Sequence, residues 1–331
     1  MKPLIDKHGR EHTYLRLSIT DKCNLNCSYC NPKNSKTWEK SKEILSYEEI
    51  TYIANIFLAC FGFKKIRLTG GEPFVRKDVD RLIESLAALK AKNAFELCAT
   101  TNGIMTKGFL KHFRNIGLDR INFSLDSLCK ETYSKICGKN ALSDVLDSID
   151  EAILAGFQNV KINVVAMRSV NSDEILDFVN FAIQKNICVR FIEYMPFSNN
   201  GYDKNLFLPI QEIQTIIHEK YSLDAIEDSR SVAMNYRIRG HLAQVGFISS
   251  MTNHFCKGCS RLRLSSSGIL KLCLFSKNSD DLDLLSLVRQ NATENQIAER
   301  IREFVLNKKQ SRAEMEEIIK LKNNKMISIG G

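Results

Sequence analysis

The chain lacks the features of a secreted or membrane protein. Its first residues, MKPLIDKHGREH, do not resemble a secretory signal peptide. No apolar run approaches the roughly 18 residues of a membrane-spanning helix. A reducing compartment is therefore expected, in which the 11 cysteines of this 331-residue chain are better explained by metal or cluster ligation than by disulfides. We predict a cytoplasmic protein without a membrane partner.

The chain also lacks a basic, aromatic-rich segment of the kind that binds nucleic acid. Its formal charge is +9, but the lysines and arginines are spread along the whole sequence. Charge alone leaves nucleic acid, an acidic lipid surface and an anionic small molecule open. Because no basic cluster is present, we do not expect nucleic acid as a partner.

Two groups of three cysteines lack a nearby fourth. These groups are Cys23, Cys27 and Cys30, and Cys256, Cys259 and Cys273. A 4Fe-4S cluster has four irons, so three thiolates leave one iron open for a small molecule. For the first group, a zinc site completed by a histidine or a ferredoxin-like electron carrier is the alternative. We interpret the remaining cysteines as small core residues: Cys60, Cys98, Cys129, Cys137 and Cys188.

Runs of period-two alternation alternate with helical patterns and predict βα units. The predicted strands are Tyr14–Thr20, Lys65–Thr69, Phe95–Thr101, Arg120–Asp126, Val160–Met167 and Val189–Tyr194. The predicted helices are Tyr47–Phe61, Asp78–Lys90, Lys107–Ile116, Leu142–Ala155, Ser172–Lys185 and Pro209–Lys220. Capping boxes at Thr293 and Ser311 predict two further helices. This order predicts a parallel sheet that is either open or curled into a barrel.

A repeated polar face on the strands favours the barrel. Arg16 and Arg67 lie on strands whose alternate residues are apolar, whereas a parallel sheet covered on both faces is apolar throughout. Solvated edge strands are the alternative. A cavity that holds a charged ligand explains the pattern better, since an arginine buried without an anion is strongly unfavourable. We therefore predict an α/β fold with a partial TIM-type (βα)6 barrel.

The sequence Thr69-Gly70-Gly71-Glu72-Pro73 follows the second predicted strand. Its glycines allow a backbone to approach a ligand closely, although an ordinary turn is the alternative. Together with Cys23-x-x-x-Cys27-x-x-Cys30 after the first strand, this motif resembles the radical S-adenosylmethionine superfamily. The resemblance implies that the cysteines hold a 4Fe-4S cluster whose open iron binds S-adenosylmethionine, with Tyr29 near adenine and Gly71 near the methionine amino group. The resemblance implies that one electron from the reduced cluster cleaves the bound S-adenosylmethionine and releases a 5′-deoxyadenosyl radical.

The second cysteine group lies on a predicted hairpin. Ser265–Gly268 is a turn signal between two alternating runs, so the third cysteine should return beside the other two. A zinc site completed by His254 or His241 is an alternative. Arg261 and Arg263 share one strand face, and two guanidiniums beside an open iron favour a phosphorylated ligand between two metal centres.

More narrowly, the chain resembles the GTP-cyclising members of this superfamily that act in molybdenum cofactor biosynthesis. The resemblance rests on YLRLSITDKCNLNCSY, KKIRLTGGEP, TTNG, INFSLDS, VKINVV, VRFIEYM, the second cysteine group and the final two glycines. It implies that a second 4Fe-4S cluster meets guanine, and that the radical removes the ribose 3′ hydrogen before cyclisation onto guanine carbon 8. The implied GTP contacts are Arg16, Lys65, Arg67, Thr100, Lys161, Arg190, Arg261 and Arg263. The implied S-adenosylmethionine contacts are Tyr29, Gly71, Ser124 and Met195, and the implied catalytic residues are Arg16, Gly330 and Gly331.

We expect two parts, a barrel at residues 1–205 and a C-terminal α+β region at 206–331 that carries the second cluster. The resemblance implies GTP as substrate, a reductant protein as electron donor and a functional link to the downstream pterin synthase, with a monomer or homodimer expected. Departures from the family pattern lie at Asn31, Lys33–Lys42 and Ile136–Asn140. A peptide maturase of the same superfamily, or a metal-binding RNA or scaffold protein, is the alternative function.

Overall fold

The fold is built around one large mixed sheet. In this computed structural model the described residues are 2–30, 43–197, 200–227, 231–253, 255–276, 281–320 and 326. Within them, 12 strands pair in the order β12-β11-β10-β1-β2-β3-β4-β5-β6-β9-β8-β7. Their bounds are β1 (Tyr14–Ser18), β2 (Lys65–Thr69), β3 (Glu96–Thr101), β4 (Arg120–Ser124), β5 (Lys161–Ala166), β6 (Cys188–Glu193), β7 (Leu223–Ile226), β8 (Met234–Ile238), β9 (Gln244–Ile248), β10 (Arg261–Leu264), β11 (Ile269–Lys271) and β12 (Leu282–Asp283).

The helices lie between these strands and after them. Their bounds are α1 (Tyr47–Phe61), α2 (Val79–Ala88), α3 (Leu110–Asn115), α4 (Lys130–Cys137), α5 (Leu142–Leu154), α6 (Ile175–Lys185), α7 (Ile210–His218), α8 (Leu284–Arg289), α9 (Glu294–Val305) and α10 (Met315–Lys320). No helix of the described ranges is both long and apolar enough to cross a membrane.

Strands β1 to β6 pair in parallel and in chain order, which confirms the predicted βα units. Strand β9 joins β6 in parallel, and β10 joins β1 in parallel at the other side. Antiparallel strands β8 and β7 follow β9, while β11 and β12 follow β10. The described part of the sheet thus ends at β7 and β12 as a partial barrel, and strands from residues after 205 extend both of its edges.

The apolar strand faces and the helices form the main core. Leu15, Leu17 and Ile66 are fully buried, as are Ile53 and Phe57 of α1. Burial of each such side chain is worth roughly 1.5–3 kcal/mol. Because alternate strand residues face the other way, this packing directs the polar residues of β1 and β2 into the barrel.

The differences from the sequence predictions include an additional helix, a misplaced capping box and an exposed cysteine. Helix α4 was not predicted, because its sequence KETYSKIC is short and has too few apolar positions for a helical period. The capping box at Thr293 is confirmed, but the one at Ser311 is wrong, since α10 begins only at Met315. Among the cysteines interpreted as core residues, Cys129 is exposed and its thiol donates to Glu131.

The predicted hairpin of the second cysteine group is confirmed. Strands β10 and β11 pair antiparallel, and the turn is closed by Gly268 N donating to Ser265 O at 3.0 Å. Gly268 has a φ of +77°, a left-handed conformation that glycine adopts without strain.

Candidate active site

The first cysteine loop leaves the carboxyl end of β1 and runs against the glycine motif after β2. Gly71 N donates to Thr20 O and Glu72 N to Lys22 O, both at 2.8 Å. A Cβ atom at Gly71 would lie 2.2 Å from Lys22 O. The glycine is therefore required by the close approach of the cysteine loop itself, in addition to any ligand.

Glu72 supports the first cysteine loop indirectly, through hydrogen bonds to residues at the carboxyl end of β3. Its buried carboxylate accepts hydrogen bonds from Thr101 Oγ1 at 2.8 Å and Asn102 N at 2.6 Å. Burial raises the pKa of Glu72 to about 7, although the hydrogen bonds that its carboxylate accepts lower the pKa in part. The amide of Asn102 in turn donates to Asn24 Oδ1 at 2.8 Å and lies 3.9 Å from Cys23 Sγ. Glu72 thus orients Asn102 towards the cysteine loop, a role that the TTNG motif alone did not reveal.

Two hydrogen-bonded residues bring the predicted S-adenosylmethionine contacts together. The hydroxyl of Tyr29 donates to Asp126 Oδ2 at 2.7 Å, and Asp126 follows β4 two residues after Ser124. The amide of Asn200 donates both to Tyr29 O at 3.1 Å and to Met195 O at 2.9 Å. Asn200 and Asp126 were not identified from the sequence, although they fix the loop that carries the predicted contacts.

The first three cysteines form a group of interacting thiols. Burial raises the pKa of Cys23 to about 11, and burial together with Cys23 raises that of Cys30 to about 12. A hydrogen bond with the Cys137 thiol, and burial, raise the pKa of Cys27. Nearby, Asn24 Nδ2 and Thr69 Oγ1 are buried without a hydrogen-bond partner among the described residues. Three neighbouring thiols, next to buried polar atoms that lack a partner, fit an iron-sulfur cluster that binds a further polar ligand.

The second group of cysteines lines a cavity of about 550 Å³. Arg10 and Lys308 line the same cavity, whereas His241 is not among its lining residues and His254 lies outside the described ranges. In the part of the chain that the structure describes, no three His, Cys, Asp or Glu side chains are placed to hold a single metal ion. The cavity has room for a cluster of several atoms held by the three thiols.

Three predicted GTP-binding arginines lie side by side on neighbouring strands. Arg263 of β10, Arg16 of β1 and Arg67 of β2 are register partners, and Arg67 and Arg263 are each 6% exposed. Arg67 donates to Tyr14 Oη at 2.8 Å and Ala99 O at 2.6 Å. Burial lowers the pKa of both Arg16 and Arg263. This row is a strip of positive charge that is buried at Arg67 and Arg263 and half-buried at Arg16.

Further cations continue the strip around the barrel. Burial, and then Arg190, lower the pKa of Lys161 to about 8. Arg190 donates to Asn235 Oδ1 at 3.1 Å, yet its buried Nε has no hydrogen-bond partner among the described residues. Arg261 stacks on the ring of Phe255, with 4.8 Å from Cζ to the ring centroid.

Four of these cations have no carboxylate partner among the described residues. Within the described ranges, Arg67, Lys161, Arg190 and Arg261 form no ion pair, while Lys65 Nζ lies 2.8 Å from Glu96 Oε2. Buried cations without counter-ions are costly, so the barrel interior fits a polyanionic ligand. Thr100 borders the strip, with its Oγ1 3.4 Å from Arg67 Nη1.

A small apolar cluster contacts both cysteine groups. It is centred on the stacked rings of Phe197 and Phe275, whose centroids are 5.6 Å apart. Cys30 packs against it from the first group and Cys273 from the second. The cluster therefore shields the two sites from water at the point where both contact it.

Some predicted residues cannot be placed. Gly330, Gly331, Asn31 and Lys33–Lys42 lie outside the described ranges. The departure at Ile136–Asn140 is described and lies directly against the cysteine loop, since Ser28 N donates to Ile136 O at 2.9 Å.

The family assignment follows from comparison with known proteins. A family profile described as the radical SAM superfamily matches residues 17–182, and one described as Molybdenum Cofactor Synthesis C matches residues 187–314. The mitochondrial GTP 3′,8-cyclase of Arabidopsis thaliana is 42% identical over 99% of this chain and 83% of its own length. This chain belongs to the GTP 3′,8-cyclase family of radical S-adenosylmethionine enzymes.

Other comparisons agree with membership of the GTP 3′,8-cyclase family. The Geobacter sulfurreducens GTP 3′,8-cyclase is 41% identical over 84% of this chain and 85% of its own length. Streptococcus suis SuiB bound to S-adenosylmethionine has a TM-score of 0.60 at 16% identity, covers 96% of this chain and is itself covered over 75%; it shares the fold. Several relatives are longer: the chain spans about half the length of the Dictyostelium discoideum and human proteins named Molybdenum cofactor biosynthesis protein 1.

Proposed function

We propose that this chain is a GTP 3′,8-cyclase that acts in molybdenum cofactor biosynthesis with S-adenosylmethionine and two 4Fe-4S clusters as cofactors. The observation that carries the assignment to this substrate is the strip of buried cations in the barrel. Arg16, Arg67 and Arg263 stand on adjacent strands, and Arg190 keeps an unpartnered buried donor. Because Arg67, Lys161, Arg190 and Arg261 form no ion pair among the described residues, a triphosphate would supply negative charge for them and bidentate acceptors for the guanidiniums.

The first site generates the radical. Its proposed cluster ligands are Cys23, Cys27 and Cys30, and its proposed S-adenosylmethionine contacts are Tyr29, Gly71, Ser124 and Met195. When bound, these cofactors supply a 5′-deoxyadenosyl radical that removes the ribose 3′ hydrogen of GTP. The protein residues hold the loop: Asn102 and Asn200 fix its two ends by hydrogen bonds to Asn24 and Tyr29. Such positioning keeps the reacting atoms within contact distance.

The second site holds the substrate. Cys256, Cys259 and Cys273 would hold the second cluster, which would bind the guanine ring. The proposed GTP contacts are Arg16, Lys65, Arg67, Thr100, Lys161, Arg190, Arg261 and Arg263. Lys65 must share its charge between GTP and Glu96, with which it is paired. Arg16, Gly330 and Gly331 complete the proposed catalytic residues, and the apolar cluster around Phe197 excludes water from the radical.

The proposal extends to partners and location. A reductant protein delivers the electron, the product passes to a downstream pterin synthase, and the protein is a cytoplasmic monomer or homodimer. The relative from Arabidopsis thaliana is mitochondrial by name, so fractionation of the native cell is the test of location. The peptide maturase alternative has only a shared fold in its favour: SuiB, which has been solved bound to the precursor peptide SuiA, is 14–16% identical to this chain.

Anaerobic reconstitution tests the proposed function. We expect about eight irons per chain. With a reductant and S-adenosylmethionine, 5′-deoxyadenosine should form only when GTP is present. GTP deuterated at the ribose 3′ carbon should pass its deuterium to 5′-deoxyadenosine. A fully loaded preparation that is indifferent to GTP, or that transfers no deuterium, would contradict the proposal.

An arginine variant tests the substrate site separately from the clusters. Arg263→Ala should retain about eight irons but lower kcat/KM for GTP by at least tenfold, because a buried guanidinium that binds phosphate is lost. Arg237→Ala, on the exposed side of β8, is the matched control and should behave as the native protein. Loss of iron from Arg263→Ala would show a structural role instead.

A further inference from the structure

Lys308 is a buried lysine in contact with the second cysteine group. It follows α9, is 4% exposed and lines the cavity with the three cysteines. Its Nζ lies 3.7 Å from Cys259 Sγ and donates to Arg261 O at 2.7 Å. Within the described ranges Lys308 forms no ion pair with a carboxylate, so a thiolate at Cys259 is its available counter-ion.

Three other cations line this cavity, namely Arg10, Lys309 and Arg312; Lys309 is exposed, and Arg10 is already neutralised. Arg10 donates from Nη1 to Cys256 O at 2.9 Å, but its Nε lies 2.6 Å from Asp6 Oδ2 in a buried ion pair. Arg10 thus holds the cysteine loop in place without adding net charge. Positive charge next to the sulfurs comes from Lys308, from Arg261, which also hydrogen-bonds to Cys259, and from Arg312 near Cys256. Of these three cations, Lys308 is the buried one, and its ammonium lies against the Cys259 sulfur.

The first cysteine group has different neighbours. The amide of Asn102 lies 3.9 Å from Cys23 Sγ, and the carboxyl of Glu72 is also near Cys23. The carboxyl of Asp126 raises the pKa of Cys30, after the larger effects of burial and Cys23. These groups are neutral or acidic. Net charge and hydrogen bonds to the sulfurs set the reduction potential of an iron-sulfur cluster. A cation beside one group of cysteines and carboxyls beside the other should separate the potentials of the two clusters.

We infer that Lys308 is a positioning residue for the second cluster: its ammonium donates to the Cys259 sulfur, makes this cluster easier to reduce than the first, and ties it to β10 through the carbonyl of Arg261. The inference rests on the proposed function, because it takes the three cysteines as cluster ligands. Its consequence is that the cofactor site and the strand that carries the substrate-binding Arg261 and Arg263 share one hydrogen-bonded residue.

The experiment isolates the second cluster by replacing the first three cysteines with alanine: Cys23→Ala, Cys27→Ala and Cys30→Ala. In this background, Lys308→Met removes the charge, Lys308→Arg retains it, and Lys309→Met is the matched control at the exposed neighbouring lysine. Iron content and the reduction potential of the cluster are measured, the latter by redox titration followed by electron paramagnetic resonance.

We expect about four irons in every variant. At a fixed potential, Lys308→Met should lower the ratio of reduced to oxidised cluster at least tenfold, which is 59 mV for a one-electron couple. Lys308→Arg should stay within threefold of the background protein, and Lys309→Met should not differ from it. The corresponding protein that retains only the first cluster should titrate at a lower potential than the background protein.

Each contrary result has a distinct meaning. An unchanged potential in Lys308→Met with four irons retained overturns the inference and leaves the proposed function intact. Loss of iron from both Lys308→Met and Lys308→Arg also overturns it, since the lysine would then only support the loop. If Lys308→Met loses iron and Lys308→Arg keeps it, the result supports the inference, because the second cluster then requires the positive charge at this position. Absence of iron from the background protein overturns the second cluster itself, and the inference with it.

Discussion

The phenolic oxygen of Tyr14 accepts a hydrogen bond from Arg67 Nε at 2.8 Å, in the middle of the buried cationic strip. Tyr14 is also hydrogen-bonded to Arg16, and it pairs in register with Arg261 and Lys65 on either side. Burial alone would raise its pKa, but Arg67 and Arg16 bring the pKa of Tyr14 down to about 8. Tyr14 is thus a shared acceptor that orders two guanidiniums of the proposed GTP site.

Tyr14→Phe should therefore weaken GTP binding. Loss of a hydrogen bond to a charged group costs about 1–2 kcal/mol, so KM for GTP should rise roughly 5- to 30-fold while kcat changes less. Steady-state formation of 5′-deoxyadenosine measures both. KM for S-adenosylmethionine should not change. Tyr221→Phe, which removes a surface hydroxyl bonded to Asn180, is the control; an equal effect of both variants would rule out a specific role for Tyr14.

GTP affinity should fall as the pH rises through about 8, the pKa to which burial and Arg190 lower Lys161. Below this pH the ammonium is charged and binds phosphate; above it the proton is lost, and each further pH unit should weaken binding up to about tenfold. Titration of GTP into the reconstituted protein between pH 7 and pH 9.5 measures the effect. Tyr14 ionises in the same range and acts in the same direction, so the comparison belongs in the Tyr14→Phe background.

Lys161→Arg is the control for this pH dependence. An arginine stays protonated throughout the range, so the decline in affinity should disappear even if the absolute affinity changes. If Lys161→Arg shows the same decline as the protein with lysine, another group controls the pH dependence.

Asn200→Ala should impair S-adenosylmethionine binding selectively. The side chain is 3% exposed and joins Tyr29 to Met195 through their carbonyl oxygens. Without it, both contacts lose their fixed positions, and KM for S-adenosylmethionine should rise about tenfold, the equivalent of roughly 1.4 kcal/mol. Iron content and KM for GTP should stay within twofold of the native values. Asn180→Ala on the exposed face of α6 is the control, and a parallel rise in both KM values would indicate general loosening of the site.

Gly71→Ala should displace the first cysteine loop. The new methyl group would lie 2.2 Å from Lys22 O and 2.6 Å from Lys22 C, and neither atom can move without breaking the loop's hydrogen bonds. We expect the free energy of unfolding to fall by about 2–3 kcal/mol and the first cluster to be lost, leaving about four irons. Denaturant unfolding and iron analysis measure the two effects.

Gly201→Ala separates a steric clash from a backbone effect. Gly201 has a φ of +63° but nothing within 4 Å of its Cβ position, so the substitution should cost only about 1 kcal/mol and leave all iron in place. Equal iron loss in both glycine variants would mean that the clash at Lys22 is not the cause.

The sequence predicted those parts of the fold that depend on local patterns. Strand β2 is recognisable because Ile66 and Leu68 alternate with Lys65, Arg67 and Thr69, and the structure places it between β1 and β3, to both of which it is parallel. The turn at Gly268 was predicted from another local pattern, a run of turn residues between two alternating segments. Helix α4 was missed because its few apolar residues do not establish a period.

The supporting residues of the site could not be predicted, since they depend on contacts between distant segments. Lys308 lies in a polar stretch after a helix, and only the packing of that stretch against β10 places it beside Cys259. Asn200 likewise has no motif of its own until the chain brings it to Tyr29. By contrast, Cys23, Cys27 and Cys30 lie close to one another in sequence, and Gly70 is next to Gly71. Each of these two motifs is therefore recognisable without the fold.

The parallel pairing of Tyr14 with Arg261 has a consequence for how the protein folds. During synthesis from the N-terminus, the outer edge of β1 has no partner until β10, which lies far downstream of it in the sequence, has been made. Long-range parallel pairing of this kind is slow, and an unpaired strand edge invites association with other chains. The nascent protein therefore carries its first cysteine loop beside an open strand edge until β10 has been made, and the same pairing of β1 with β10 completes both the sheet and the proposed substrate site.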